Sequence, residues 1–215
     1  MGPTTTSNGE EVDVLCGVVH PGYLSPFVTV LGDVAILKLA TNVTTVTEFV
    51  QLNRDPNYPE TAGTDMTVIG FGKTSNNGGT SNTLRKVGTF FVPYDTCVDT
   101  YTSAVVRPEA HLCGDVPGKG DCNGDSGGPV MDNDNTQVGV VSFGYGGCAS
   151  DYQDVYAKVA TYIDWIDEQM DDDFCPERPA TNGGSICGFA KSIAYLANVH
   201  LVERVTSCFG RIFSF

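Results

Sequence analysis

The sequence predicts an all-β fold on three observations: short β-branched apolar runs, turn-forming residues clustered between them, and abundant glycine (25 residues) beside a charged fraction of only 18%. Val12–Val14, Phe27–Leu31 and Val34–Leu39 are the first strand candidates, separated by Pro21-Gly22 and Gly32-Asp33. A connector rich in Pro, Asn and Asp follows over residues 51–64. Beyond it Thr67–Gly72, Thr83–Val92 and Gln137–Phe143 read as strands bounded by Gly, Asn or Asp. One helix is predicted, because Tyr162, Ile163, Ile166 and Met170 recur at helical spacing around Trp165 while Asp164, Asp167 and Glu168 fall elsewhere on the wheel. After Asp171-Asp172-Asp173 the character changes to a Cys/Pro/Gly linker and a second helical stretch, Phe189–Val205, that carries no functional motif.

Bulk properties exclude several roles. A formal charge of −14 repels phosphate backbones and anionic head groups, so neither nucleic acid nor a membrane surface is an expected partner. No stretch reaches the roughly 20 apolar residues that span a bilayer, and Met1–Glu11 is polar, with no basic-then-apolar leader. Eight cysteines without a Cys-x-x-Cys spacing read as disulfide partners in an oxidising compartment, and Asn42-Val43-Thr44 is a glycosylation acceptor. Secretion is therefore expected of the full-length protein, with the leader upstream of Met1. No metal or other cofactor is called for.

The chemistry concentrates at Gly120-Asp121-Cys122-Asn123-Gly124-Asp125-Ser126-Gly127-Gly128-Pro129. A serine hydroxyl is a weak nucleophile unless a base, an oxyanion site and an exposing backbone accompany it. Glycines supply the backbone, and the N–H groups of Gly124 and Ser126 can converge on one oxyanion. Gly124-x-Ser126-x-Gly128 also matches the nucleophile elbow of α/β-hydrolases, but that elbow leads into a helix. Pro129 and a hairpin-like turn, Met131-Asp132-Asn133-Asp134-Asn135, follow instead, so the elbow is set aside.

Five segments in order resemble the trypsin/chymotrypsin family: Gly32-Asp33-Val34-Ala35-Ile36-Leu37-Lys38-Leu39 with His20-Pro21-Gly22-Tyr23 before it, Val68-Ile69-Gly70-Phe71-Gly72, the loop 120–130, Val141-Ser142-Phe143-Gly144-Tyr145-Gly146-Gly147-Cys148, and Val155-Tyr156 through Trp165-Ile166. The resemblance implies a chymotrypsin-like double β-barrel closed by a C-terminal helix, with the first barrel incomplete and the second complete. It divides the chain into a polar stretch 1–11, a protease domain 12–170, and a Cys-containing tail 171–215. It further implies a serine endopeptidase acting through an acyl-enzyme, or a non-catalytic homologue serving as a binding or inhibitory module. Protein or peptide substrates and protein protease inhibitors are the partners it implies.

Roles follow residue by residue from the resemblance. Ser126 is the nucleophile, Asp33 orients a histidine and stabilises its imidazolium, and Gly124 with Ser126 forms the oxyanion hole. Asp125 matches the aspartate that pairs with the new amino terminus after zymogen cleavage. Cys97 with Cys113 and Cys122 with Cys148 sit where the family pairs its cysteines. Cys16, Cys175, Cys187 and Cys208 remain, with three connectivities open. Gly120, Asp121, Ser142, Gly144 and Asp154 line the substrate pocket. The floor aspartate of trypsins aligns with Gly120, while Asp154 faces that floor from the opposite wall and Asp121 adds a second acid. This resembles crab collagenolytic serine proteases and implies a basic or broad preference.

A general base is not found in the expected place. The triad runs His, Asp, Ser along this family's chain, with the histidine tens of residues before Asp33. Only His20 precedes Asp33, and it belongs to the His-Pro-x-Tyr lead. His111 lies beside Cys113 and His200 in the tail. The chain is therefore expected to be inactive by itself.

Overall fold

The computed structural model describes residues 9–23, 30–46, 48–171 and Cys175. Its described residues form nine strands and two helices in the order β1 (Val14–Val19), β2 (Ala35–Leu39), β3 (Gln51–Leu52), β4 (Asp65–Gly70), β5 (Arg85–Val92), α1 (Tyr94–Val105), β6 (His111–Asp115), β7 (Pro129–Met131), β8 (Thr136–Gly144), β9 (Asp154–Lys158) and α2 (Val159–Asp171). The sheet order β8-β7-β4-β5-β6-β9, with β9 returning to β8, closes a six-stranded barrel on which β3 rests in parallel. Closure removes free edges from this unit. Apolar side chains at alternate positions, Met66, Val68, Val130, Val138, Val141 and Tyr156, fill it.

The all-β prediction with a C-terminal helix matches this architecture, and the double barrel is represented on its first side by the antiparallel pair β1–β2. A two-stranded ribbon is marginal alone. It is held by a second core in which Val34 and Ile36 pack with Val140 and Ala157 of the barrel and with Val159, Tyr162, Ile163 and Ile166 of α2. Tyr162 also accepts the Gly32 N–H at 3.1 Å. Helix α2 thus binds the segment carrying Asp33 to the barrel carrying Ser126.

Several expectations require correction. Helix α1 was predicted as no element at all. Its sequence is rich in Thr, Asp and Val, poor helix formers, and Thr102 departs from helical geometry at φ 55°. Tyr94, Cys97 and Tyr101, spaced three and four apart, are the buried signal that was available. Strand β6 was also missed, being short and interrupted by Cys113-Gly114. Met170 does not join the apolar face of α2: it is 66% exposed, because the last turn runs past the core. The first strand is Val14–Val19 rather than Val12–Val14. Phe27–Leu31 falls largely, and Phe189–Val205 wholly, outside the described residues.

Among the described residues three disulfides join Cys97–Cys113, Cys122–Cys148 and Cys16–Cys175. The first two are the pairs that the resemblance implied, and the third resolves one of the open connectivities. Cys16–Cys175 ties β1 to the chain just past α2 across a separation of 159 residues. A long closed loop constrains the unfolded chain strongly. Replacing both cysteines by serine is expected to lower unfolding free energy by about 2–4 kcal/mol, read from the urea midpoint at constant slope. An unchanged midpoint would show that the bridge adds nothing to the ribbon's hold.

Candidate active site

The loop between β6 and β7 is fixed to the barrel on both sides of Ser126. Gly127 donates to Val141 O and Val141 donates to Gly128 O, each at 2.9 Å. The Cys122–Cys148 bridge ties the start of the loop to the segment after β8. Within it, Asp125 N donates to Cys122 O at 2.9 Å and Gly128 N to Asp125 O at 2.8 Å, two consecutive tight turns. Gly124 takes φ 99°, a conformation that a side chain would resist.

Ser126 is exposed at the crest of this loop. Among the described residues no hydrogen bond engages its hydroxyl, nor the N–H groups of Gly124 and Ser126. Two backbone donors free of internal partners beside a serine hydroxyl can stabilise charge that develops on a carbonyl oxygen under attack.

Asp125 turns the other way, into the protein. Its Oδ1 accepts the Gly72 N–H at 2.8 Å and its Oδ2 the Cys122 N–H at 3.0 Å. Burial pushes its carboxyl above the usual range, against those two hydrogen bonds, which favour the charged form. A Cβ on Gly70 or Gly72 would come within 2.0 or 2.4 Å of this carboxylate, so both positions must stay bare for the loop to sit as it does.

Asp33, just before β2, accepts a hydrogen bond from the Ser142 hydroxyl at 2.6 Å. The two residues lie 109 positions apart, brought together where the ribbon meets β8. Ser142, expected as part of the substrate pocket, is thus a partner of the Asp33 carboxylate.

Both described histidines are committed elsewhere. His111 is buried, its Nδ1 accepts the Arg107 N–H at 3.0 Å, and its Nε2 lies 2.7 Å from Val30 O. With Nδ1 accepting, Nε2 carries the proton and donates it to that carbonyl. Burial keeps its pKa below the ordinary value. His20 packs edge-on against Tyr162 and Trp165, with centroids 5.0 and 4.9 Å away, and its Nδ1 accepts the Gly22 N–H. Neither bridges Ser126 and Asp33. His200 lies outside the described residues.

Behind the loop, Asp121 and Asp154 lie side by side. Asp154, at the start of β9 and 7% exposed, accepts the Asp121 N–H through Oδ2 at 3.1 Å. That oxygen lies over Gly120, where a Cβ would meet it at 2.4 Å, and Oδ1 lies against Gly144, at 2.9 Å from a Cβ there. The missing side chain at Gly120 is what leaves room for the acid from the opposite wall. Burial pushes the Asp154 carboxyl up to about 6, opposed by the hydrogen bond from Asp121.

Two neighbours of Asp154 were not foreseen from sequence. Tyr101 of α1 stacks on Tyr145, with centroids 4.9 Å apart, and its hydroxyl accepts the Tyr145 N–H at 3.0 Å while donating to Gln153 O. It thereby ties the segments at the two ends of the loop from 145 to 153. Asp115, at the end of β6, adds another negative charge that raises the Asp154 pKa. Both belong to elements absent from the sequence reading. Among the described residues no group of His, Cys, Asp and Glu could hold a metal ion.

Comparison with known proteins places this geometry. The family described as Trypsin matches residues 2–166. Trypsin alpha-3 of Lucilia cuprina is 35% identical over 161 residues, covering 74% of this chain and 95% of that protein. Trypsin 5G1 of Aedes aegypti is 36% identical over 165 residues, and trypsin-1 of Salmo salar 36% over 153. The chain spans 61% of the length of each of those two. The solved structure of neuropsin, a serine protease expressed in the limbic system of mouse brain, superposes with a TM-score of 0.69 at 26% identity, covering 79% of this chain and 77% of that one.

Proposed function

The chain belongs to the trypsin family of serine proteases, and from that premise we propose that it is the nucleophile-bearing part of a secreted serine endopeptidase that cleaves after basic and several other side chains. The observation that carries this reading is the exposed Ser126 hydroxyl beside two backbone N–H groups, Gly124 and Ser126, that have no partner among the described residues.

In this mechanism the Ser126 oxygen attacks the scissile carbonyl carbon and its proton passes to an imidazole. The carbonyl oxygen takes the negative charge and accepts hydrogen bonds from Gly124 and Ser126. The C–N bond breaks as the imidazolium returns the proton to the leaving amine. Water, losing its proton to the same imidazole, then attacks the acyl ester and releases Ser126. Asp33, held by Ser142, orients the imidazole and balances its charge. With His111 and His20 occupied, the imidazole is assigned to a segment outside the described residues.

Asp154 is assigned as the acid that meets the side chain preceding the scissile bond. Its buried carboxylate attracts Lys and Arg, with the guanidinium able to bond in a fork. A panel of peptide anilides offered to the full-length protein should show Lys and Arg among the favoured residues, and Asp154→Gly should reduce kcat/KM for them by about 10²-fold, the size of a lost charge-assisted pair. Unchanged Lys and Arg cleavage in that variant would remove Asp154 from the pocket.

A second reading is a protease homologue kept as a binding or inhibitory module. It is favoured by one observation: among the described residues no imidazole stands within hydrogen-bond reach of the Ser126 hydroxyl. The two readings part on whether Ser126 reacts.

A further inference from the structure

A cavity of about 490 Å³ opens beside Lys158, at the opposite end of β9 from Asp154, and neither Ser126, Asp33 nor Asp154 lines it. Volumes of this order hold small organic ligands. Its inner end is buried, with Lys158 8% exposed and His111 5%. Phe91, Tyr94 and Leu112 give it apolar walls, and the exposed Glu60 and Glu109 stand at its mouth. The enclosure is preformed. Lys158 N donates to Ala110 O at 2.9 Å and the Thr161 hydroxyl donates to Glu109 O, which pins one side to β9 and α2. On the other side Asn53 N donates to Gln137 O at 3.0 Å and Asn57 N to the Asp55 carboxylate at 2.9 Å.

A lysine in so little water needs partners, and this one has few. Its ammonium donates to Pro56 O, and among the described residues no other acceptor meets it and no carboxylate lies within salt-bridge distance. An ammonium carries three N–H donors, so two are left over. His111 cannot take them, since its ring nitrogens are engaged with Arg107 N and Val30 O. Burial lowers the Lys158 pKa, opposed by the charge of Asp55.

The charges run in order through the cavity: a cation inside, apolar surface between, and anions at the mouth. A ligand that carries only a carboxylate must pass two glutamates, and one that carries only a cation meets Lys158. An uncharged apolar ligand covers the ammonium and leaves its donors unpaired. A molecule with both charges and an apolar body avoids all three penalties. We propose that this cavity is a second binding site, which takes a short zwitterionic peptide with an aromatic or large apolar side chain, its free carboxylate on Lys158 and its ammonium facing Glu60 and Glu109. The site requires no catalysis and stands independently of the roles assigned to Ser126 and Asp154.

Phenylalanyl-phenylalanine, its N-acetyl derivative and its C-terminal amide test this by calorimetric titration of the full-length protein at pH 7. The dipeptide should bind about tenfold or more tightly than either derivative, the size of one lost charge-assisted hydrogen bond. Lys158→Met, which keeps the length and the apolar stem, should erase the preference for the dipeptide over the amide. Glu60→Gln combined with Glu109→Gln should erase the preference over the N-acetyl derivative. Benzamidine, an aryl cation expected at Asp154, should not displace the dipeptide. Equal affinity for the three ligands, no binding of the dipeptide, a preference over the amide that survives Lys158→Met, or displacement by benzamidine overturns the inference. Should Lys158→Met not fold, the comparison of the three ligands on the parent protein and on the variant of the two exposed glutamates still decides.

Discussion

Ser126→Ala in the full-length protein is expected to lower kcat by about 10⁶-fold, because a nucleophile, its base and the orienting acid act as a unit. The loss should fall on kcat while benzamidine affinity stays at the parent value. The Ser126 side chain makes no hydrogen bond among the described residues, so its removal leaves the loop's turns, the Gly127–Val141 bond and the Asp125 anchors intact. Burst-phase release from an ester substrate should vanish as well, since no acyl-enzyme can form. Retained turnover at more than the level left by binding and the oxyanion hole would mean that another residue attacks.

Asp33→Asn should cost about 10⁴-fold in kcat with little change in KM. The loss of charge is only part of the cause. Asp33 accepts a hydrogen bond from the Ser142 hydroxyl at 2.6 Å, and a carboxamide that keeps its oxygen on that hydroxyl turns its NH₂ to the imidazole, which favours the wrong tautomer of the base. Ser142→Ala supplies a control on position: it removes one hydroxyl that holds Asp33 but leaves the carboxylate, and its effect should be far smaller than that of Asp33→Asn. Equal losses in the two variants would assign the effect to the geometry of the strand junction, and not to the charge.

The nucleophile loop was legible because its geometry makes narrow demands on residue type. A positive φ at Gly124, bare Cα atoms at Gly70 and Gly72 beneath Asp125, and a cysteine at each end of a short bridge all leave marks in the sequence. The strands of the barrel were legible for the usual reason, alternation of apolar side chains such as Met66, Val68, Val138 and Val140. Turn residues bounded them well: Asp132 accepts two backbone N–H groups, from Asp134 and Thr136, as the hairpin reading required.

What stayed hidden depends on tertiary context. Helix α1 exists because Tyr94, Cys97 and Tyr101 pack against Cys113, Val155 and Phe143, and local propensity would not have chosen it. The bond between Ser142 and Asp33 and the bridge between Cys16 and Cys175 join residues far apart in the chain, and no local pattern announces either. Met170 has the right spacing for a core position, but α2 outruns the surface it packs on. Around Asp121 and Asp154 the residue types were readable, whereas the burial of the two carboxyl groups was not, since it arises from β6, β9 and α1 closing around them.

Labelling with a fluorophosphonate probe tests the central claim most directly, because the reagent reacts with an activated serine and its adduct can be mapped by mass spectrometry. The full-length protein should carry a single adduct, on Ser126, formed more slowly in the presence of benzamidine and absent in Ser126→Ala. A folded, full-length protein that binds benzamidine yet leaves Ser126 unmodified would contradict the account and establish the chain as a non-catalytic member of its family.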